Sequence, residues 1–147
     1  MNIVNEARLA FMSRSANESF ARVAVSGFFM QLDPTVDELT DIKTAVSEAV
    51  TNAIVHAYPD TLGKIVVRVR LLDGGVLEIA VYDWGRGIAD VEKAREPLFT
   101  TGGEERSGMG FTIMESFMDR LVVRSTPGRG TTVVMRKRLA PRMQGTK

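Results

Sequence analysis

Two runs of alternating residues, Lys64 to Leu72 and Val76 to Asp83, flank the tripeptide Asp73-Gly74-Gly75. Glycine takes the positive φ angles that a tight turn requires, so this stretch predicts an antiparallel β-hairpin. In the first run Ile65, Val67, Val69 and Leu71 share one face, with Lys64, Arg68 and Arg70 on the other. In the returning run Leu77, Ile79, Val81 and Asp83 share one face. A sheet with one apolar face must be covered, and the last member of this apolar series is a carboxylate.

The cover is legible upstream. Leu39, Ile42, Val46, Ala49, Val50 and Ala53 recur at helical spacing and predict a helix packed along one stripe. Asp33-Pro34 breaks the chain before it, Thr35 with Glu38 forms a capping box, and Pro59 lies beyond its end. On another ridge of that helix Glu48, Asn52 and His56 follow one another at i, i+4 and i+8. Ser15 and Glu18 predict a capping box for an earlier helix whose core stripe is Phe20, Val23, Ala24, Gly27 and Phe28, ending near Leu32. Arg22 falls off that stripe and reads as a solvated charge. Glu6 to Met12 alternate as a first strand, with Ala7, Leu9 and Phe11 inward. Phe111 to Leu121 predict a further helix, and Leu121–Ser125 and Thr131–Lys137 two strands joined at Pro127-Gly-Arg-Gly130. The class is α+β, with strands in one layer and helices in the other. Residues 1–139 form a single domain, and 140–147 a short basic tail expected to fray.

Composition narrows the function. A net charge of +1 argues against electrostatic capture of nucleic acid. The chain has no cysteine, hence no disulfide or thiolate metal site. It has no export-type N-terminus and no apolar run of membrane-spanning length, so a cytoplasmic location is expected.

Three Gly-containing segments carry the chemistry. Asp83-Trp84-Gly85-Arg86-Gly87 follows a strand: the glycines permit a sharp turn close to a ligand. A buried Asp needs donors, which an adenine amine or the Asp's own turn could equally supply. Ser107-Gly108-Met109-Gly110 leads into a helix, where free backbone N–H groups suit a phosphate. Gly130-Thr131 opens the last strand and is explained equally well as a plain turn. Between Gly85 and Gly110 only Val91 to Arg95 look helical; about 25 residues of such composition suit a binding loop or lid. The P-loop pattern is absent, no His-Arg-Asp loop accompanies Asp83-Trp84-Gly85, and His56 has no partners at metal-site spacing, so it reads as a structural histidine.

In order, Glu48-x3-Asn52-x3-His56, Asp83-x-Gly85-x-Gly87, Gly108-x-Gly110 and Gly130-Thr131 resemble the N, G1, G2 and G3 boxes of the ATP-binding superfamily of DNA gyrase, Hsp90 chaperones, histidine kinases and MutL. Glu18–Arg22, Leu32–Leu39, Pro97–Thr101 and Glu105–Glu115 make the chain similar, over nearly its whole length, to the small anti-sigma factor serine kinases of endospore-forming bacteria. The resemblance implies a Bergerat-type ATP-binding fold: a two-layer sandwich with a mostly antiparallel sheet covered on one face by helices, and an ATP lid. It implies ATP/ADP and Mg²⁺ as cofactors. Asp83 would accept the adenine amine with Thr131 in support, Asn52 would coordinate Mg²⁺, and Glu48 would take the proton of a substrate serine. Gly85, Gly87, Thr101, Ser107, Gly108, Met109 and Gly110 would complete the nucleotide site. The implied partners are a sigma F-like factor held inactive, an anti-anti-sigma factor phosphorylated on serine, and a second copy of the chain in a homodimer. Arg22 and Arg106 match partner-contacting positions. Where the family pattern carries Lys-Pro after Thr101 and runs one residue longer, this chain has Gly102-Gly103. Competing readings are a nucleotide-gated sigma-binding module without kinase activity, the general-stress anti-sigma kinase, a plain ATPase and a histidine-kinase catalytic domain. A length of 147 residues leaves no room for the extra domains of the last two.

Overall fold

The computed structural model describes residues 1–96 and 109–140. Five strands, β1 (Ile3–Met12), β2 (Lys64–Leu72), β3 (Val76–Asp83), β4 (Arg120–Thr126) and β5 (Gly130–Arg138), form one sheet in the order β1-β2-β3-β5-β4. Every neighbouring pair is antiparallel. The β2–β3 hairpin turns on Gly74 and Gly75, with φ of 80° and 76°, as the Asp-Gly-Gly signal requires. Its register sets Ile65 opposite Asp83, and β5 in turn sets Thr131 opposite Asp83. The end of the apolar face is thereby a carboxylate beside a hydroxyl.

Helices cover that face. The long helix α2 (Val36–Asn52) starts from Thr35, whose hydroxyl accepts from Glu38 N at 3.0 Å while Glu38 Oε1 accepts from Thr35 N at 2.8 Å. Ile42, Val46, Ala49, Val50 and Ala53 pack with Ile65, Val67, Leu77, Ile79, Val81 and Met135 in one buried cluster. The expected helix does not run unbroken to Pro59: after Asn52 it widens into a π-helical turn, Ala53–Ala57. Such a turn shifts the side chains that follow it relative to an α-helical ridge.

Helix α1 (Ala16–Phe29), followed by a 3-10 turn at Met30–Leu32, corrects the expected stripe. Ala21, Val25 and Phe29 are buried, whereas Phe20 and Val23 are 51% and 66% exposed. Both sets repeat at helical spacing, and contact with α2 selects the set one residue out of phase. The Ser15 box is also absent. Ser15 sits at φ −60°, ψ −30°, already helical, so its hydroxyl cannot reach back as an extended N-cap residue's does, and it makes no capping bond. Glu18 meets Arg22 at 3.4 Å instead.

Two short helices, α3 (Val91–Ala94) and α4 (Gly110–Phe117), complete the described chain. The last helix stops four residues short of Leu121 because Arg120 and Leu121 already pair with Arg136 and Met135 in the sheet. On the sheet's other face Glu78 is buried between Arg68 and Arg136, at 3.1 and 2.8 Å. Among the described residues no helix is long and apolar enough to cross a membrane. Of the tail, only Ala140 is described, its N–H donating to Glu38 Oε2 at 3.0 Å; residues 141–147 lie outside the described chain.

Candidate functional site

Asp83 ends β3 with 8% of its surface exposed. One oxygen, Oδ1, accepts from Gly85 N at 3.0 Å and from Thr131 N at 3.2 Å. The carboxylate thus does cap its own turn, and among the described residues both of these bonds fall on one oxygen, Oδ1. Burial pushes the Asp83 carboxyl above its ordinary value of 3.8, and the two N–H donors oppose that rise.

The glycines around it answer to the protein's own backbone. A Cβ on Gly85 would run into the carbonyl oxygen of Ala57, and one on Gly87, at φ 77°, into that of Thr126. A Cβ on Gly130, at φ 128°, would strike the carbonyl of Asp83 itself. The close approach expected of a ligand is made here by neighbouring chain segments, which the hydrogen bonds Arg86 N to Ala57 O (3.2 Å) and Gly128 N to Arg86 O (2.7 Å) bind together. Tyr58 adds a clamp: its hydroxyl donates to Lys64 O and accepts from Trp84 N, each at 2.7 Å.

At the other end, α2 meets the start of α4. A Cβ on Gly110 would lie 3.0 Å from Asn52 Nδ2, 3.1 Å from Asn52 Oδ1 and 3.3 Å from Glu48 Oε1. Glycine at this helix start therefore lets an amide and a carboxylate from two successive turns of α2 gather against it. Between the two ends lies a cavity of about 420 Å³. Asn52, His56, Asp83, Arg86, Asp90 and Thr131 are among its polar lining, and Ala49, Ala53, Val81, Ile88 and Val133 among its apolar walls. Apolar walls of that kind suit a flat ring, with Asp83 and Thr131 reading its edge. Among the described residues no group of three or more His, Asp or Glu side chains could hold a metal by itself. The lone amide oxygen of Asn52 fits a hard cation that keeps most of its waters, such as Mg²⁺.

The fold thus brings together Asn52, Asp83, Gly87, Gly110 and Thr131 around one cavity, with Glu48 against Gly110 and Gly85 in the adjoining turn. His56 joins them although its spacing alone marked it as structural. Met109 occupies the N-cap position of α4 without a side-chain capping bond. Thr101, Arg106, Ser107 and Gly108 lie outside the described residues. Arg22 stands apart on α1, bonded to Ser19 Oγ at 3.3 Å beside the exposed Phe20 and Val23. Two contributors were not legible: Tyr58, and Ser125, whose Oγ accepts from Ile88 N at 2.7 Å and lies 2.7 Å from Thr131 Oγ1. Neither sits in a Gly motif, and each takes one partner from far along the chain, Trp84 for Tyr58 and Ile88 for Ser125.

The arrangement is that of a histidine kinase-like ATPase domain, and the model of that family matches residues 11–137. The chain is 58% identical over 138 residues to the anti-sigma F factor of Caldanaerobacter subterraneus subsp. tengcongensis, covering 93% of this chain and 96% of that one. It is also 58% identical over 137 residues to the anti-sigma F factor of Geobacillus kaustophilus, covering 92% and 94%. It belongs to the anti-sigma F factor family of histidine kinase-like ATPases. Among solved structures, the RsbU and RsbW domains of a Mycobacterium tuberculosis protein superpose with a TM-score of 0.69 over 92% of this chain, at 21% identity, a likeness of fold. The blue-light activated histidine kinase of Erythrobacter litoralis gives 0.58 over 73%, at 29% identity. The chain spans 32% of each of those two structures.

Proposed function

We propose that the chain binds Mg-ATP in this cavity, phosphorylates a serine of an anti-anti-sigma factor, and holds a sigma F-like factor inactive, acting as a homodimer. The observation that carries the reading is the convergence of Glu48 and Asn52 on Gly110 at one end of a cavity whose other end presents Asp83 and Thr131. Asp83 Oδ2 accepts the amine of the adenine ring, which lies between Ala53, Val81 and Ile88. Asn52 Oδ1 is the oxygen that would hold Mg²⁺; when bound, the ion neutralises phosphate charge. Glu48 Oε1 accepts the proton of the acceptor serine as its oxygen bonds to the γ-phosphorus and the bond from that phosphorus to the β,γ-bridging oxygen breaks, leaving ADP. Catalysis here is positioning and charge neutralisation. Exposed Phe20 and Val23 beside Arg22 support a protein-binding face on α1, since large apolar side chains seldom cluster in water without a partner.

The test is a phosphorylation assay with radiolabelled ATP, Mg²⁺ and the candidate anti-anti-sigma factor, comparing wild type with Glu48→Ala and mapping the modified residue. Phosphoserine made by wild type, and about 10² to 10⁴ less of it by the variant, is the expected result. ATP binding without transfer would reduce the chain to a nucleotide-gated sigma-binding module, and phosphohistidine would move it to the histidine kinases.

A further inference from the structure

We propose that the sheet face turned away from the helices carries a docking site for an acidic segment of a protein partner, centred on Tyr82, Trp84, Arg124, Arg129 and Thr132. Successive strand residues point to opposite faces. Asp83 and Thr131 line the large cavity, so their neighbours Tyr82 and Thr132 lie on the far side of the sheet, with Thr132 paired to both Tyr82 and Arg124. Together with Trp84 and Arg129 they line a recess of about 230 Å³. That is below the usual size of a small-molecule pocket and suits one or two side chains.

The charge on this face is one-sided. The two acids its strands present there are already held: Glu78, 3% exposed, by Arg68 at 3.1 Å and Arg136 at 2.8 Å, and Glu6 by Arg70 at 2.8 Å. The surplus of cations falls at the Trp84 end. Arg124 and Arg129 are both exposed, and among the described residues neither pairs with an acid. A guanidinium fork matches a carboxylate in two hydrogen bonds, and Glu78 shows that arginines of this face hold one. The aromatic rings favour a protein segment over a nucleic acid. Single-stranded nucleic acid stacks its bases on bare rings, whereas here Lys64 Nζ lies 5.7 Å from the Trp84 centroid and the Arg68 guanidinium 5.6 Å from that of Tyr82. A Trp left 56% exposed beside a Tyr and two arginines has the composition of a protein-interface anchor.

Trp84 is the single tryptophan of the chain, so its emission reports on the recess directly. A decapeptide of alternating Glu and Ala, and separately decathymidylate, are titrated into wild type, Arg124→Ala and Arg120→Ala. Arg120 removes the same charge from the same strand face, about 13 Å from Arg124. The peptide is expected to shift Trp84 emission to saturation, with binding at least about tenfold weaker in Arg124→Ala and less than about twofold weaker in Arg120→Ala. Both variants should melt within a few degrees of wild type, since both side chains are exposed. Equal effects of the two substitutions would reduce the attraction to a diffuse field and overturn the site. An emission unmoved by peptide up to about 1 mM would also overturn it. Tighter binding of decathymidylate than of peptide would replace it with a nucleic-acid surface.

Discussion

Replacing Asp83 by Asn separates what the carboxylate does for the fold from what it does for the ligand. In the native state Oδ1 takes both backbone donors, Gly85 N and Thr131 N, and an Asn oxygen in the same place can take both. The substitution falls on the other atom. Where Oδ2 accepted the adenine amine, an amide NH₂ would face it as donor against donor. The lost interaction is one charge-assisted hydrogen bond, about 1.5–3 kcal/mol, or about ten- to a hundredfold in Kd for ATP. Stability should move the other way or hardly at all, because the variant no longer buries a carboxylate that burial disfavours. The pH dependence follows from the direction of the shift. A carboxyl whose folded-state pKa lies above its ordinary 3.8 contributes fully below that pH, and the contribution is lost as pH rises through the raised folded value. Melting temperatures of the two proteins measured from pH 4 upward should therefore diverge in favour of the variant and stay apart at neutral pH. Titration calorimetry at neutral pH supplies the binding half. An unchanged Kd would refute the assignment of the adenine edge to Asp83, and a variant that fails to fold would show that the carboxylate's charge serves the turn.

Other perturbations test the frame around the site. Gly87→Ala places a Cβ at φ 77° against the Thr126 carbonyl, and should cost about 1–3 kcal/mol, visible in a urea unfolding curve. Thr35→Ala removes the one side-chain N-cap of α2 and should cost about 1 kcal/mol, or about 2–4 °C in Tm, with nucleotide affinity unchanged. Phe20→Ser with Val23→Ser should leave Tm within a few degrees, since both side chains are mostly exposed, yet weaken capture of the sigma factor in a pull-down by at least about tenfold.

The sequence by itself determined what depends on neighbours along the chain. The Asp-Gly-Gly turn and the alternation on either side set the β2–β3 hairpin, with both strands at the expected bounds. Thr35 and Glu38, three residues apart, set the start of α2, and the stripe from Ile42 to Ala53 set the face it buries. Short local patterns also singled out Glu48, Asn52, Asp83, Gly110 and Thr131, which the fold gathers at one cavity and its rim. Tertiary contact decided what depends on partners far away. Helix α1 carries two apolar stripes of equal period, and only packing on α2 leaves Phe20 and Val23 in water. Gly85 and Gly87 looked like glycines cleared for a ligand, and the obstacles a Cβ would meet are carbonyls of Ala57 and Thr126. Ser125 carried no signal, because a serine in an edge strand is ordinary until Ile88, 37 residues earlier, and Thr131 arrive at its oxygen. A turn or a cap is satisfied within a few residues and leaves its mark in the local sequence. A hydroxyl's proton is assigned by whichever atoms the fold brings to it, and no local pattern encodes that.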